Sequence, residues 1–486
     1  MLWICVLLPE LPLEVFTRSQ AAAAMRFAIT TGGHHPRILI ATEAARQCGI
    51  AAQQLVSAAY ALTPDIVLRE RDVDAEASAL RGVATWLTQF TPTVSIGNDS
   101  CVLAEIGGSL RLFGGLRALL QQMRDGVRTL GYSVQMACAP TATAAQCFAR
   151  AGHRQPAMRR EDLARMLAPL PLACLPGEEE AIALLRRAGV TTFGQACQLP
   201  RDALVRRVGK SFVAMLDRAR DLVPDPQTPF VPPAHYRGRL ELPVPVTEVE
   251  ALGFAVHRLV HELSGWLLGR GLGVCGLELS LEHEHYLHAR SGAATSVPFA
   301  LASPARDATH LTSVLRERLA RVPLPAPVQS VVLASGITAP LAGRNLGLLP
   351  GDNELATVPL LDRLRARLGE DAVTCIAPLD DHRPERAWQH KTTSVGRERA
   401  RAACTLPRGP RPVWLLAEPQ PLGATFEDKP WILRDGPERI EAGWWDGGDI
   451  RRDYHVAESP RGEMLWIYRD SVYGPDGEWF LHGIFA

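Results

Sequence analysis

Residues 2–8, Leu-Trp-Ile-Cys-Val-Leu-Leu, form an unbroken apolar run. A strand with no polar alternation suits a sheet covered on both faces, usually by helices. Pro9 and Pro12 break the run, Glu10 and Glu14 follow it, and no basic region introduces it, so it reads as a buried first strand and not as a secretory leader. No apolar stretch elsewhere is long enough to span a bilayer.

Behind that strand the chain alternates. RILIATEAARQCGI reads as strand then helix, VDAEASALRGVATWLTQF as a long helix, CVLAEIGG as a strand, LRALLQQMRDGVRTLG as a helix and YSVQMACAP as a strand. This pattern predicts an α/β domain over residues 1–165. Short helices separated by turns predict a helical unit over 166–223, and the five prolines in VPDPQTPFVPP make 224–235 a semi-rigid linker. Strand, helix, strand, helix and strand then follow in 236–345, an α+β domain. Residues 346–486 carry basic, proline-broken segments and a tryptophan-rich end whose alternating aromatic and polar residues suggest strands. The fold class is therefore α+β and multidomain, as 486 residues require.

The 52 lysines and arginines cancel the 52 aspartates and glutamates, so the molecule has no bulk positive field and any nucleic-acid contact must be local. Lysine occurs only at 210, 391 and 429. Ten cysteines without a CxxC pair imply neither a disulfide framework nor a zinc site, and fit a reducing cytoplasm. His257 and His261 lie one helical turn apart, and His283, His285 and His288 cluster, yet no metalloprotease-type Glu-His arrangement accompanies them.

The order of these segments resembles the palm, fingers, thumb and little finger of the Y-family (UmuC/DinB-like) DNA polymerases over roughly residues 1–345. RILIATEAARQCGI is similar to the fingers segment with its YEAR-like motif, and FTPTVSIGNDSCVLAEIGGSLRLFGG to the palm strand around the S-x-D-E motif. LWICVLLPELPLEVF, GPERIEAGWWDGGDIRRDY and WFLHGIFA resemble the ImuB-type, non-catalytic branch, whose terminal segments ordinary Y-family polymerases are not expected to carry.

The resemblance implies where the chemistry should be. Phosphoryl transfer in the family uses two Mg²⁺ ions, which carboxylate oxygens must hold. The first-strand aspartate matches Cys5, with Leu7 at the neighbouring acidic position, and the Asp-Glu pair matches Ser100 and Cys101. None of these suits Mg²⁺, so no catalytic residue and no cofactor are expected. Asp99 lies one residue from the site, where a strand would turn it to the opposite face, and Glu105 matches a family aspartate on the same strand. Mg²⁺ enters only if the chain is an active DNA-directed DNA polymerase after all. Arg46 falls where the YEAR arginine contacts triphosphate, but the motif's tyrosine is replaced by Glu43; a surface arginine on an amphipathic helix is the plainer account.

For DNA the thumb resemblance points to backbone N–H groups at glycine turns. PGEEEAI carries Glu178, Glu179 and Glu180, which would repel phosphate, whereas LVRRVGKSF sets Arg206, Arg207 and Lys210 around Gly209. Arg258 and Arg270 are the corresponding cations of the little finger. RNLGLLPG resembles a clamp-binding peptide, with Asn345 replacing its glutamine and Leu346, Leu348 and Leu349 as apolar positions; a loop leaving the last strand accounts for it equally. Trp444, Trp445, Trp466, Trp479 and Phe480 are candidate partner anchors, or the core of a small β-domain. The implied partners are DNA, the sliding clamp, an ImuA-type RecA-like protein and an error-prone C-family polymerase, with no membrane. The expected function is a catalytically inactive scaffold in translesion synthesis, DNA repair and induced mutagenesis. An active translesion polymerase and a DNA-binding accessory protein without a partner polymerase are the alternatives.

Overall fold

The computed structural model describes residues 1–18, 25–153, 155–283, 292–341, 354–369, 371–391, 410–423, 431–471 and 477–485. They fall into two compact units, Met1–Arg367 and Leu368–Ala486. Among the described residues no helix is long and apolar enough to cross a membrane.

The first unit opens with β1 (Trp3–Leu7), the apolar run of the sequence, buried throughout, and α1 (Leu11–Thr17). The fingers segment follows: β2 (Phe27–Thr30), β3 (Ile38–Ala41), α2 (Glu43–Gln47), α3 (Val56–Leu62) and β4 (Val67–Glu70) form a small sheet with its own core around Ile38, Ala45, Ile50 and Ile66. The chain returns through α4 (Val73–Leu87), capped by Asp72 accepting from the Ala75 N–H at 2.9 Å. Then come β5 (Val94–Ile96), β6 (Cys101–Glu105), α5 (Leu116–Thr129), β7 (Gln135–Ala139) and α6 (Ala142–Arg150).

The central sheet runs β5-β6-β1-β7, antiparallel at every pair. Its two faces explain why β1 lacks alternation. Ile4 and Val6 pack with α1, α4 and α5, while Cys5 and Leu7 pack with Cys101, Leu103 and α6.

The helical unit consists of α7 (Arg160–Leu167), α8 (Glu179–Arg187), α9 (Phe193–Gln198), α10 (Arg201–Val208) and α11 (Lys210–Ala219). A capping box between Thr192 and Gln195 starts α9. Leu163, Phe193 and Phe212 share one core with Cys5 and Leu103, so this unit covers a face of the sheet.

The proline-rich segment is tied down along its length. Asp225 accepts from the Thr143 N–H at 2.8 Å, Phe230 N–H donates to the Val94 carbonyl at 2.7 Å, and the Pro233 carbonyl accepts from Trp266 Nε1 at 3.0 Å. Proline lacks an N–H but keeps its carbonyl, and the Pro233 carbonyl is taken up by Trp266 and Arg270 of the helix that follows.

Beyond it lie β8 (Arg237–Val246), α12 (Gly253–Arg270), β9 (Leu272–His283), β10 (Ala294–Ala305), α13 (Ala308–Leu319), β11 (Val328–Ser335) and β12 (Thr338–Pro340). The sheet order is β10-β9-β11-β8, with β12 also on β9. A further helix, α14 (Glu354–Leu368), continues this first unit past residue 345, its Asp362 accepting from the Ala302 N–H and from His310 Nε2 at 3.0 Å.

The helices α4 and α12 approach at small residues. A Cβ added at Gly82 would lie 2.7 Å from a Glu262 carboxylate oxygen, and one at Gly265 would lie 2.3 Å from Trp86 Cδ1. A Cβ at Gly126 of α5 would meet the other edge of the same indole at 2.1 Å. Trp86 therefore packs α4 against α5 and α12.

The second unit holds a hairpin of β13 (Cys375–Pro378) and β14 (Trp388–Lys391) and an antiparallel sheet of β15 (Trp414–Pro421), β16 (Ile432–Ala442), β17 (Ile450–Glu458), β18 (Met464–Asp470) and β19 (Trp479–Ile484), ordered β15-β19-β18-β17-β16.

Candidate metal, nucleotide and DNA sites

In the β1–β6 ladder Leu7 stands opposite Cys101 and Cys5 opposite Leu103, so all four side chains share the face under α6. Cys5 is fully buried, Cys101 is 2% exposed, and the Cys101 thiol is turned toward the Asn98 carbonyl at 3.1 Å. A hydrogen bond with the Cys101 thiol, then burial, holds the Cys5 thiol well above its ordinary range. Burial likewise pushes Cys147 up to about 12. Neutral thiols and an aliphatic chain do not fit Mg²⁺, which takes oxygen ligands, nor do they supply the thiolates a softer metal needs. Among the described residues no three His, Cys, Asp or Glu side chains are gathered as a metal site.

Asp99 and Ser100 both adopt positive φ, 57° and 59°, in the turn before β6. Asp99 leaves the strand register by that turn and forms an ion pair with Arg150 at the end of α6. Both line a cleft of about 650 Å³ with Leu7, Gln135 and Cys174. Burial raises the Cys174 thiol as well, and for Cys5, Cys147 and Cys174 alike the Arg150 charge acts in the opposite direction. The Arg150 guanidinium thus lies at the margin of the cleft that Leu7 lines, close to Cys5. No local signal in the chain points to Arg150, because nothing nearby tells which face of α6 meets the sheet. Glu105 is on the same face but four residues along, about 13 Å at the usual strand rise. Its carboxylate accepts from the Leu2 N–H at 2.9 Å and the Gly107 N–H at 3.1 Å, closing the strand end.

Arg46 on α2 is held by carboxylates: Glu43 at 3.1 Å and Glu10 at 3.4 Å. The acidic replacement in the YEAR-like motif occupies the arginine it precedes.

Arg206, Arg207 and Lys210 are brought together, all exposed, around Gly209, whose φ of 92° lets α10 end and α11 begin at one residue. Arg258 is different and corrects the expectation from sequence. It is half-buried against Gly131, its Nη1 has no hydrogen-bond partner among the described residues, and burial, then Arg18, lower its pKa to about 10. Its neighbours Arg18, Glu14, Tyr132 and Glu262 form a buried charged group where α1, α5 and α12 meet. Arg270 is exposed, with Nη1 on the Pro233 carbonyl at 3.2 Å and its guanidinium over the Trp266 ring.

His257 and His261 touch edge to face at 4.4 Å, with both pKa values lowered by burial and no third ligand beside them among the described residues. His283 is buried, its Nε2 2.8 Å from Thr295. His285, His288, Asn345, Leu346, Leu348 and Leu349 lie outside the described residues.

The aromatic candidates of the second unit separate. Trp466 is 2% exposed, stacked on Tyr454 at 4.1 Å, and Tyr454 meets His482 Nδ1 at 2.7 Å. It is a core residue, which corrects its inclusion among partner anchors. Phe480 stacks on Tyr468 at 5.2 Å and Trp479 is half-buried under Arg469. Trp444 and Trp445 are 77% and 55% exposed. Their loop is fixed by Arg383, bonded to both Asp446 carboxylate oxygens at 2.6 and 3.0 Å, which lowers the Asp446 pKa to about 2.

Residues 18–150 match the impB/mucB/samB family. Over 469 residues the chain is 30% identical to Protein ImuB of Caulobacter vibrioides strain NA1000 / CB15N, covering 90% of this chain and 100% of that protein, and the same holds for a second strain. Among solved structures, DinB from Sulfolobus solfataricus is 12% identical, covers 70% of this chain and 100% of its own, and has a TM-score of 0.37. The insertion ternary complex of Dbh DNA polymerase is 12% identical, with 69% and 98% coverage and a TM-score of 0.39.

Proposed function

Because the chain belongs to the ImuB family, we propose that it acts in the response to DNA damage as a polymerase-shaped scaffold that adds no nucleotides itself. The observation that carries this reading is the donor set at the palm: Cys5, Leu7 and Cys101 sit in an apolar core, with the Arg150–Asp99 ion pair at its margin. Two Mg²⁺ ions need several carboxylate oxygens at close range, and a guanidinium beside the site opposes further positive charge. Of the two carboxylates that could favour an active polymerase, Asp99 is already paired with Arg150 and Glu105 accepts from the Leu2 and Gly107 N–H groups at the far end of the strand.

The scaffold would hold DNA through Arg206, Arg207 and Lys210 at the glycine turn, with Arg270 on the little finger. The exposed Trp444 and Trp445 on a pinned loop suit a protein partner, for which the family resemblance suggests an ImuA-type RecA-like protein and an error-prone C-family polymerase. Asn345, Leu346, Leu348 and Leu349 remain the candidate attachment to the sliding clamp, and unchanged clamp binding by Leu348→Ala plus Leu349→Ala would remove it. The reading as a whole is tested by primer extension with the purified chain and Mg²⁺ or Mn²⁺, alongside DNA binding. The expected result is binding without extension; template-directed incorporation by this chain alone would refute the proposal.

A further inference from the structure

The palm sheet ends in an open edge. β7 lies at the end of the sheet order, paired to β1 on one side. In an antiparallel ladder alternate residues turn both N–H and C=O toward the partner strand, and the others turn both outward. The Cys138 carbonyl accepts from the Ala157 N–H at 3.0 Å, which identifies Cys138 and Met136 as outward-facing. Residue 157 thus covers one end of the edge, while no turn or loop backbone group among the described residues bonds to Met136.

A groove of about 420 Å³ follows this edge. Gln121, Arg124 and Arg128 of α5 line one wall, and Ala149, Gly152 and His153 at the end of α6 line the other. Arg128 is exposed and Arg124 half-buried, and neither forms an ion pair with a described residue. His153 Nε2 is buried without a hydrogen-bond partner among the described residues.

An unpaired strand edge is a template for another strand, and in strand addition the ladder supplies affinity while alternate side chains supply selectivity. Met136 and Cys138 direct their side chains to the face covered by α5. Alternate residues of an added strand would therefore face the two arginines, and those between would face Ala149 and Gly152. Carboxylates suit the first wall and small side chains the second.

We propose that the β7 edge takes up an extended acidic segment of a partner protein by strand addition, its carboxylates pairing with Arg124 and Arg128. A nucleic-acid strand also carries anions, but it has no N–H and C=O ladder to match Met136. This surface adjoins the cleft at Asp99 and Arg150 through Gln135 but uses neither of those residues, and the proposal does not rest on the DNA reading.

The full chain is titrated against a fluorescein-labelled peptide of about nine residues alternating Glu and Ala, followed by anisotropy. Saturable binding is expected, weakened about tenfold or more by Arg124→Glu plus Arg128→Glu, and absent for a peptide with Lys in place of Glu. N-methylating alternate peptide amides removes ladder donors without touching the protein and is expected to weaken binding to a similar degree. No binding at about 1 mM peptide, or equal binding by the N-methylated peptide or by the charge-reversed protein, overturns the proposal. So does a single-stranded oligonucleotide whose affinity falls with the same double reversal while the peptide's does not.

Discussion

Arg150 at the end of α6 is ion-paired with Asp99 in the turn before β6. The pair does two things at once: it engages the one carboxylate at the palm turn, and it fixes a positive charge beside Cys5. A metal site is usually anions awaiting a cation. Here the cation belongs to the chain.

Burial, which the Arg150 charge opposes but does not cancel, makes restoration of an acidic residue at Cys5 costly. Cys5→Asp would place a carboxylate at a fully buried position whose neighbours are thiols and aliphatic chains. Burying a charge that makes no direct pair, with the Arg150 guanidinium already committed to Asp99, is expected to cost about 3 kcal/mol or more. Urea unfolding should show that loss, and it should be the same with and without added Mg²⁺. Recovery of stability in Mg²⁺ would mean that the pocket still gathers a metal.

A second expectation concerns pH. Glu14 is buried on α1, and desolvation, only partly offset by Ser133, raises its pKa from 4.5 to about 7. The folded chain therefore holds a proton on Glu14 that the unfolded chain releases above about 4.5. Stability contributed by this group falls as pH rises from about 4.5 to 7, by on the order of 2–3 kcal/mol. Arg18 and Arg258 offset the Glu14 charge, while Glu10 opposes it. Glu14→Gln keeps a carbonyl for the Ser133 N–H, which now bonds at 2.7 Å. Its melting temperature should match the parent near pH 5 and exceed it at pH 8; a parallel pH profile for the two proteins would contradict the assignment.

The strand at residues 2–8 was legible in the sequence because burial on both faces removes alternation, a signature that needs no partner to be read. None of Cys5, Leu7, Ser100 and Cys101 is a usual Mg²⁺ ligand of this kind of site, and their residue types were directly legible. Arg150, Glu14, Glu262 and the glycines around Trp86 were not. Each takes its meaning from an element far away in sequence, and helical periodicity says only that a face is covered, never by what. Arg258 shows the opposite failure: a charge on an amphipathic helix reads as solvent-facing, yet here the covering surface is another domain, and α12 is buried on more than one side.

The two groups of cations should separate in solution. Arg206→Ala, Arg207→Ala and Lys210→Ala together remove exposed charges around Gly209, so DNA affinity should drop across sequences. The slope of log affinity against log salt should become shallower by about 0.9 for each phosphate that is no longer neutralised. Arg258→Ala, in contrast, should leave that slope unchanged and alter the melting temperature. A change of salt slope in Arg258→Ala would return that residue to the DNA surface.

The tryptophans of the second unit divide by the same reasoning. Trp466 is stacked on Tyr454 within the sheet's core, so Trp466→Ala leaves a cavity and is expected to cost about 3–5 kcal/mol, unfolding this unit before any partner is involved. Trp444 and Trp445 are exposed on a loop whose conformation depends on Arg383 and Asp446; those hydrogen bonds do not involve the indoles, and the Arg383 guanidinium lies 5.7 Å from the Trp445 ring centroid. Trp444→Ala plus Trp445→Ala should therefore leave the melting temperature within a degree or two while reducing capture of an ImuA-type or C-family polymerase partner about tenfold or more, the loss expected when two central aromatic anchors are removed. Undiminished capture by the double variant would show that these side chains serve no interface with those partners.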